Sequence, residues 1–134
     1  MYLRELSDEE KRVFWNLANA VVMADGIKTE QETELLKQYW IELENEFEIY
    51  SPNEIRIDDE IEKIQECDGR IKKIICFELS GLIVADSDFS KEEKDMIELI
   101  CKKLDISSDV LSKMEKCIQE ILKAYSELGE ILNA

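Results

Sequence analysis

Apolar residues recur at three- and four-residue steps along most of the chain, and nearly every such run opens on a helix-capping signal. Ser7-Asp8-Glu9-Glu10 is a capping box, in which the Ser7 hydroxyl accepts the N–H three residues on and Glu10 reaches back. The helix it opens places Val13, Phe14, Leu17, Ala18, Val21 and Ala24 on one face and ends near Asp25-Gly26, where Gly suits a left-handed cap. Thr29-Glu30-Gln31-Glu32 opens a second helix, with Leu35, Leu36, Tyr39, Trp40, Leu43 and Phe47 turned inward. Ser51-Pro52-Asn53 breaks the pattern. A short helix follows from Asp58 to Glu66, and Asp68-Gly69 ends it.

The fourth helix spans about 70–85. It is apolar almost all round from Ile74 to Ala85, which predicts a central position. Ser90-Lys91-Glu92-Glu93 opens a fifth helix with Met96, Ile97, Ile100 and Leu104 inward. Ser107 or Ser108 caps the last. Its Leu111, Met114, Ile118, Ile121, Tyr125, Leu128 and Leu132 step by three and four in alternation, a heptad seam. The seam fits packing on the chain's own bundle, and its end also allows a homodimer through the C-terminal helix.

A shift of 61 residues lays the chain on itself without a gap. Met23-Ala24-Asp25-Gly26 falls on Val84-Ala85-Asp86-Ser87, Thr29 on Ser90, Glu32 on Glu93, Leu35-Leu36 on Met96-Ile97, and Leu43 on Leu104. Two copies of one helix–loop–helix design suggest a pseudo-symmetric pair in which each unit buries the other's apolar face. The expected fold is all-α: a single-domain antiparallel helical bundle of about five to seven helices. Unit one covers about 8–48, unit two about 70–104, and a C-terminal helix about 107–132. Ala20 and Ala24 match Gly81 and Ala85, small residues four apart that allow close helix approach. If those faces meet, Asp25 and Asp86 stand within roughly 10 Å of each other.

Composition narrows the function. Against 32 Asp and Glu stand 17 Lys and Arg, a net charge of −15. Such a field repels phosphate backbones and anionic lipid heads, so no direct nucleic-acid binding is expected. The favoured partners are cations and another protein with a basic surface. The first ten residues are polar and acidic, unlike a signal peptide, and no apolar run reaches the ~20 residues of a bilayer span. No membrane insertion and a cytoplasmic location follow as expectations. Cys76, Cys101 and Cys117 fall among apolar helical positions and read as reduced core residues. With no His and no C-x-x-C pair, a zinc site lacks its usual ligands.

The chemistry-bearing residues are the paired carboxylates, Asp25 with Glu32 and Asp86 with Glu93. Capping accounts for a Glu at the third helical position, and Asp is a common turn residue. The alternative is convergence on a hard divalent cation, calcium or magnesium, with Glu30, Asp88 and Glu92 as further oxygens. An EF-hand does not fit: Lys91 stands where the loop needs Gly, and Ile97 and Leu36 stand where it needs its last Glu. Glu78 sits on the most apolar helix, either buried or reaching water at its edge. Asn16 and Asn19 either cross-bond within the bundle or mark an exposed stripe. Without His or a Gly-rich phosphate loop no enzyme is expected, and the aromatics Phe14, Trp15, Tyr39, Trp40 and Phe47 read as core.

The stretches "LANAVVMADGIKTEQE" and "LIVADSDFSKEE", the second continued by "CKKLDIS", resemble the TerB-like family, named for tellurite resistance. The resemblance covers about residues 10–122. It implies an all-α fold of antiparallel helices, no known catalytic activity, and a divalent-cation site at Asp25, Glu32, Asp86 and Glu93. It also implies a place in tellurite or wider chemical-stress responses and membrane-linked bacterial complexes. Ser87 departs from the pattern, replacing the Gly of the first copy. Two rivals stay open beside the cation reading: a metal-free acidic protein-interaction adaptor, and a decoy imitating nucleic-acid charge.

Overall fold

The computed structural model describes residues 2–24, 26, 30–43, 55–85 and 90–134, with only the backbone at 83–85. The fold is an all-α bundle. Among the described residues a 3-10 turn, Leu3–Glu5, precedes six helices: α1 (Asp8–Val22), α2 (Glu30–Glu42), α3 (Ile57–Lys63), α4 (Gly69–Ala85), α5 (Lys91–Lys103) and α6 (Ser108–Leu132). Among the described residues there is no strand.

The hydrophobic spacing accounts for the packing. Helix α4 touches α1, α5, α6 and the 3-10 turn, the central place its apolar surface requires. Its Ile74, Ile75, Cys76, Leu79 and Leu82 are buried. Helix α1 buries Val13, Phe14, Leu17, Ala18 and Val21 as its periodicity predicts. Helix α2 buries Leu36 and Tyr39, α3 buries Ile61, and α5 buries Ile97 and Ile100. Phe47 lies outside the described residues.

The 61-residue shift reaches into the three-dimensional arrangement. Asp8 to Gly69, Glu30 to Lys91 and Glu42 to Lys103 are each a step of 61, so α1 matches α4 at its start and α2 matches α5 at both ends. The Asn19 amide donates to the Trp15 carbonyl at 2.9 Å, and at the matching places the Ser80 hydroxyl donates to the Cys76 carbonyl at 2.8 Å. Trp15 and Trp40 pack with ring centroids 5.2 Å apart. Their counterparts are Cys76 and Cys101, whose thiols also touch. Hydrogen-bonding contact with Cys101, then burial, pushes the Cys76 thiol far up, so it stays protonated.

Several expectations are corrected. Helix α3 stops at Lys63, short of Glu66, and a turn carries the chain on. Gly69 does not end that helix but begins α4, with the Asp68 carboxylate accepting the Arg70 N–H at 2.9 Å as an N-cap does. Cys117 is exposed, not core, because it lies off the face of α6 that meets α4. The close approach at Gly81 comes from α2: a Cβ there would stand 3.4 Å from the Tyr39 hydroxyl. Asn16 and Asn19 are buried, not an exposed stripe, and the Asn19 amide bonds one turn back within α1 and not across the bundle.

Helix α5 ends in a Schellman arrangement. The Ile106 N–H reaches the Cys101 carbonyl at 2.9 Å, and the Asp105 N–H reaches Lys102 at 3.1 Å. Asp105 adopts φ 61°, a left-handed conformation that costs an L-residue about 1 kcal/mol. Gly26, after α1, has φ 79° with open space where a side chain would stand. Asp105→Gly is therefore expected to raise unfolding stability by about 0.5–1 kcal/mol, and Gly26→Ala to lower it by about 1 kcal/mol. Urea denaturation of the two variants checks the opposite signs.

Candidate functional site

The four carboxylates singled out by the repeat divide into two groups. Asp25 and Asp86, with Thr29 and Asp88, lie outside the described residues, and so does their expected convergence. Glu32 and Glu93 are described, in the first turns of the matched helices α2 and α5. Their neighbours Glu30 and Glu92 are exposed.

Glu93 closes a cap. The Ser90 hydroxyl accepts the Glu93 N–H at 3.1 Å and donates to its carboxylate at 3.3 Å. Capping does not require full burial of such a Glu, as α1 shows. Its capping box is complete, with Ser7 Oγ accepting the Glu10 N–H at 3.2 Å and the Glu10 carboxylate accepting the Ser7 N–H at 2.7 Å. Yet Glu10 remains half-buried. Glu32 and Glu93 are 1% and 2% exposed. Burying a carboxylate is costly unless charge or hydrogen bonds compensate it. Two such burials at equivalent places exceed what a cap demands. Both donor groups are hard oxygens, the ligand type of calcium and magnesium. Among the described residues, no cluster of three or more His, Cys, Asp or Glu gathers as a metal site.

Glu78 is a third buried carboxylate, 5% exposed. It occupies the place of Leu17 in the other unit. Its carboxylate accepts the Tyr2 N–H at 2.9 Å and so ties the N-terminal turn to α4. Its main-chain carbonyl accepts the Tyr39 hydroxyl at 2.8 Å. Burial, then the negative charges of Glu78 and Glu42, pushes the Tyr39 phenol far up, keeping it protonated as a donor.

Sequence reasoning missed three features. Leu3 and Leu6 are buried, and their three-residue spacing on a 3-10 turn was the available signal. The Tyr39–Gly81 approach left no trace in periodicity, because it joins residues on separate units. Glu60, on α3, is 6% exposed and takes the Lys63 ammonium at 3.1 Å on one oxygen. Nothing distinguished it from its acidic neighbours in sequence.

The stripe on α6 also departs from expectation. Leu111 and Ile118 are buried, but Tyr125, Leu128, Ile131 and Leu132 are exposed. No helix among the described residues is long and apolar enough to cross a membrane. No family model matches the chain, and neither the curated proteins nor the solved structures contain a significant match to it.

Proposed function

We propose that the chain is a non-enzymatic, TerB-like binding module for a divalent cation of the calcium or magnesium type, acting in a tellurite or general chemical-stress response. Glu32 and Glu93 are the buried ligands, and Asp25 and Asp86, the other carboxylates of the repeat, complete the set. The observation that supports this is the contrast between Glu32 and Glu93, nearly inaccessible to solvent, and Glu10, half-buried at the same helical position. The chemistry agrees, since four carboxylates brought together repel one another until a cation lies between them. The charge of −15 raises the local cation concentration.

Calorimetric titration with calcium and magnesium chloride tests the reading. Saturable heat and a rise in melting temperature are expected, and both should vanish in Asp25→Asn/Asp86→Asn. Neither heat nor shift in the unaltered chain would leave the second reading, a metal-free acidic adaptor for basic protein surfaces. The same charge imbalance favours that reading, which predicts salt-sensitive capture of a basic protein.

A further inference from the structure

Helix α6 has 25 residues, a length of about 37 Å, and among the described residues only its first half is buried against the bundle. Leu111 and Ile118 are buried against the bundle and Met114 packs on the core. Beyond Ile121 the same stripe continues into solvent. Leu122 is 38% exposed, Tyr125 64%, Leu128 48%, Ile131 71% and Leu132 74%. Together they present roughly 600 Å² of apolar surface, at the upper end of what a monomer leaves uncovered.

We propose that this half of α6 pairs antiparallel with the same segment of a second copy of the chain. The two-fold setting that puts Tyr125 against Leu128 of the second copy also puts Ile121 against its Leu132. At the shoulders of that seam a large residue then meets a small one each time. Leu122 faces Gly129 of the second copy, and Ile131 faces its Ala124. Gly129 has open space around the position of a Cβ, in a helix where Gly is otherwise unfavourable. Twice the exposed area, about 1,200 Å², reaches the lower bound of specific interfaces.

Charge selects both the occupant and the orientation. No charged side chain lies on the seam or its shoulders from Ile121 to Leu132. Lys123, Glu127 and Glu130 occupy the far side. The contact therefore desolvates no charge in a chain carrying −15. An antiparallel pair sets the two acidic bundles at opposite ends of a stretch of about 18 Å, beyond the ~8 Å screening length. A parallel pair would hold them abreast. A mostly acidic far side also disfavours an anionic lipid surface, which is met by amphipathic helices rich in Lys and Arg.

Sedimentation analysis of the full chain across a micromolar concentration series is expected to show a monomer–dimer equilibrium. Leu128→Glu should abolish the dimer, and Gly129→Leu should weaken it at least ~10-fold while helix content by circular dichroism is kept. In a Cys117→Ser background, an oxidised mixture of Leu122→Cys and Gly129→Cys chains should give a disulfide-linked heterodimer, and neither variant alone a linked homodimer. A chain that stays monomeric throughout, a dimer indifferent to Leu128→Glu, or links within each single variant in place of the mixed one would overturn the proposal.

Discussion

Phe14→Ala is expected to cost about 3–5 kcal/mol of unfolding free energy. Phe14 is fully buried on α1, and its ring meets Tyr39 of α2 edge-on, with centroids 5.2 Å apart and planes at 87°. Such pairs add about 0.5–1.5 kcal/mol to the burial they bring. The Tyr39 hydroxyl in turn bonds the Glu78 carbonyl of α4, so one ring supports a junction of three helices. Truncation leaves a void the helices cannot close, because each is held by other buried contacts. The loss is a large share of the roughly 5–15 kcal/mol that holds a domain of this kind. At roughly 4 °C per kcal/mol, a fall in melting temperature of about 10–20 °C follows. Calorimetry on Phe14→Ala and Phe14→Leu checks it. The Leu variant keeps most of the volume and should lose less than half as much. Equal losses would mean that the edge-on contact with Tyr39, not the filled space, carries the energy.

Much of this fold was legible in the sequence for a local reason. Capping boxes and three-four spacing are properties of one helix at a time, so Ser7, Ser90 and Ser107 marked starts that the structure confirms. The repeat was legible because it is a translation along the chain. What escaped depends on packing between helices. The place of Tyr39 over Gly81 is set by how α2 crosses α4. The exposed end of α6 is set by how far α4 extends beside it, and a heptad seam carries no mark of where its partner stops. Cys117 was misplaced for the same reason, since neighbouring apolar residues did not reveal which side of α6 meets α4. For the candidate site the sequence singled out the carboxylates. The burial that separates Glu32 and Glu93 from Glu10 is a tertiary property that a capping pattern shared by all three does not encode.

Glu78→Ala is expected to cost about 2–3 kcal/mol and to act unevenly over the molecule. A Glu at the place of Leu17 is an expense in an apolar helix, and the structure shows what offsets it. The carboxylate accepts the Tyr2 N–H and holds the 3-10 turn over α4. That turn buries Leu3 completely and Leu6 to 5% exposure. Tyr2 adds an edge-on contact with Phe77, at 5.9 Å, and lies under the Arg70 guanidinium, at 5.8 Å. Arg70 is itself gripped by Glu5 through two bonds of 2.9 and 2.8 Å. That pair lies at the surface, where ion pairs add little. The weight therefore falls on Glu78 and the two leucines. Removing the carboxylate leaves the Tyr2 N–H without its acceptor and opens space beneath the turn. Hydrogen exchange should show the Glu5 and Leu6 amides, which bond Tyr2 and Leu3 within the turn, losing protection before the amides of α1 and α4. Glu78→Gln retains an acceptor oxygen and most of the volume, so it should lose about 1 kcal/mol and keep the turn protected. Uniform loss of protection across the bundle in Glu78→Ala would instead mark Glu78 as part of the global core, with no special hold on the N-terminal turn.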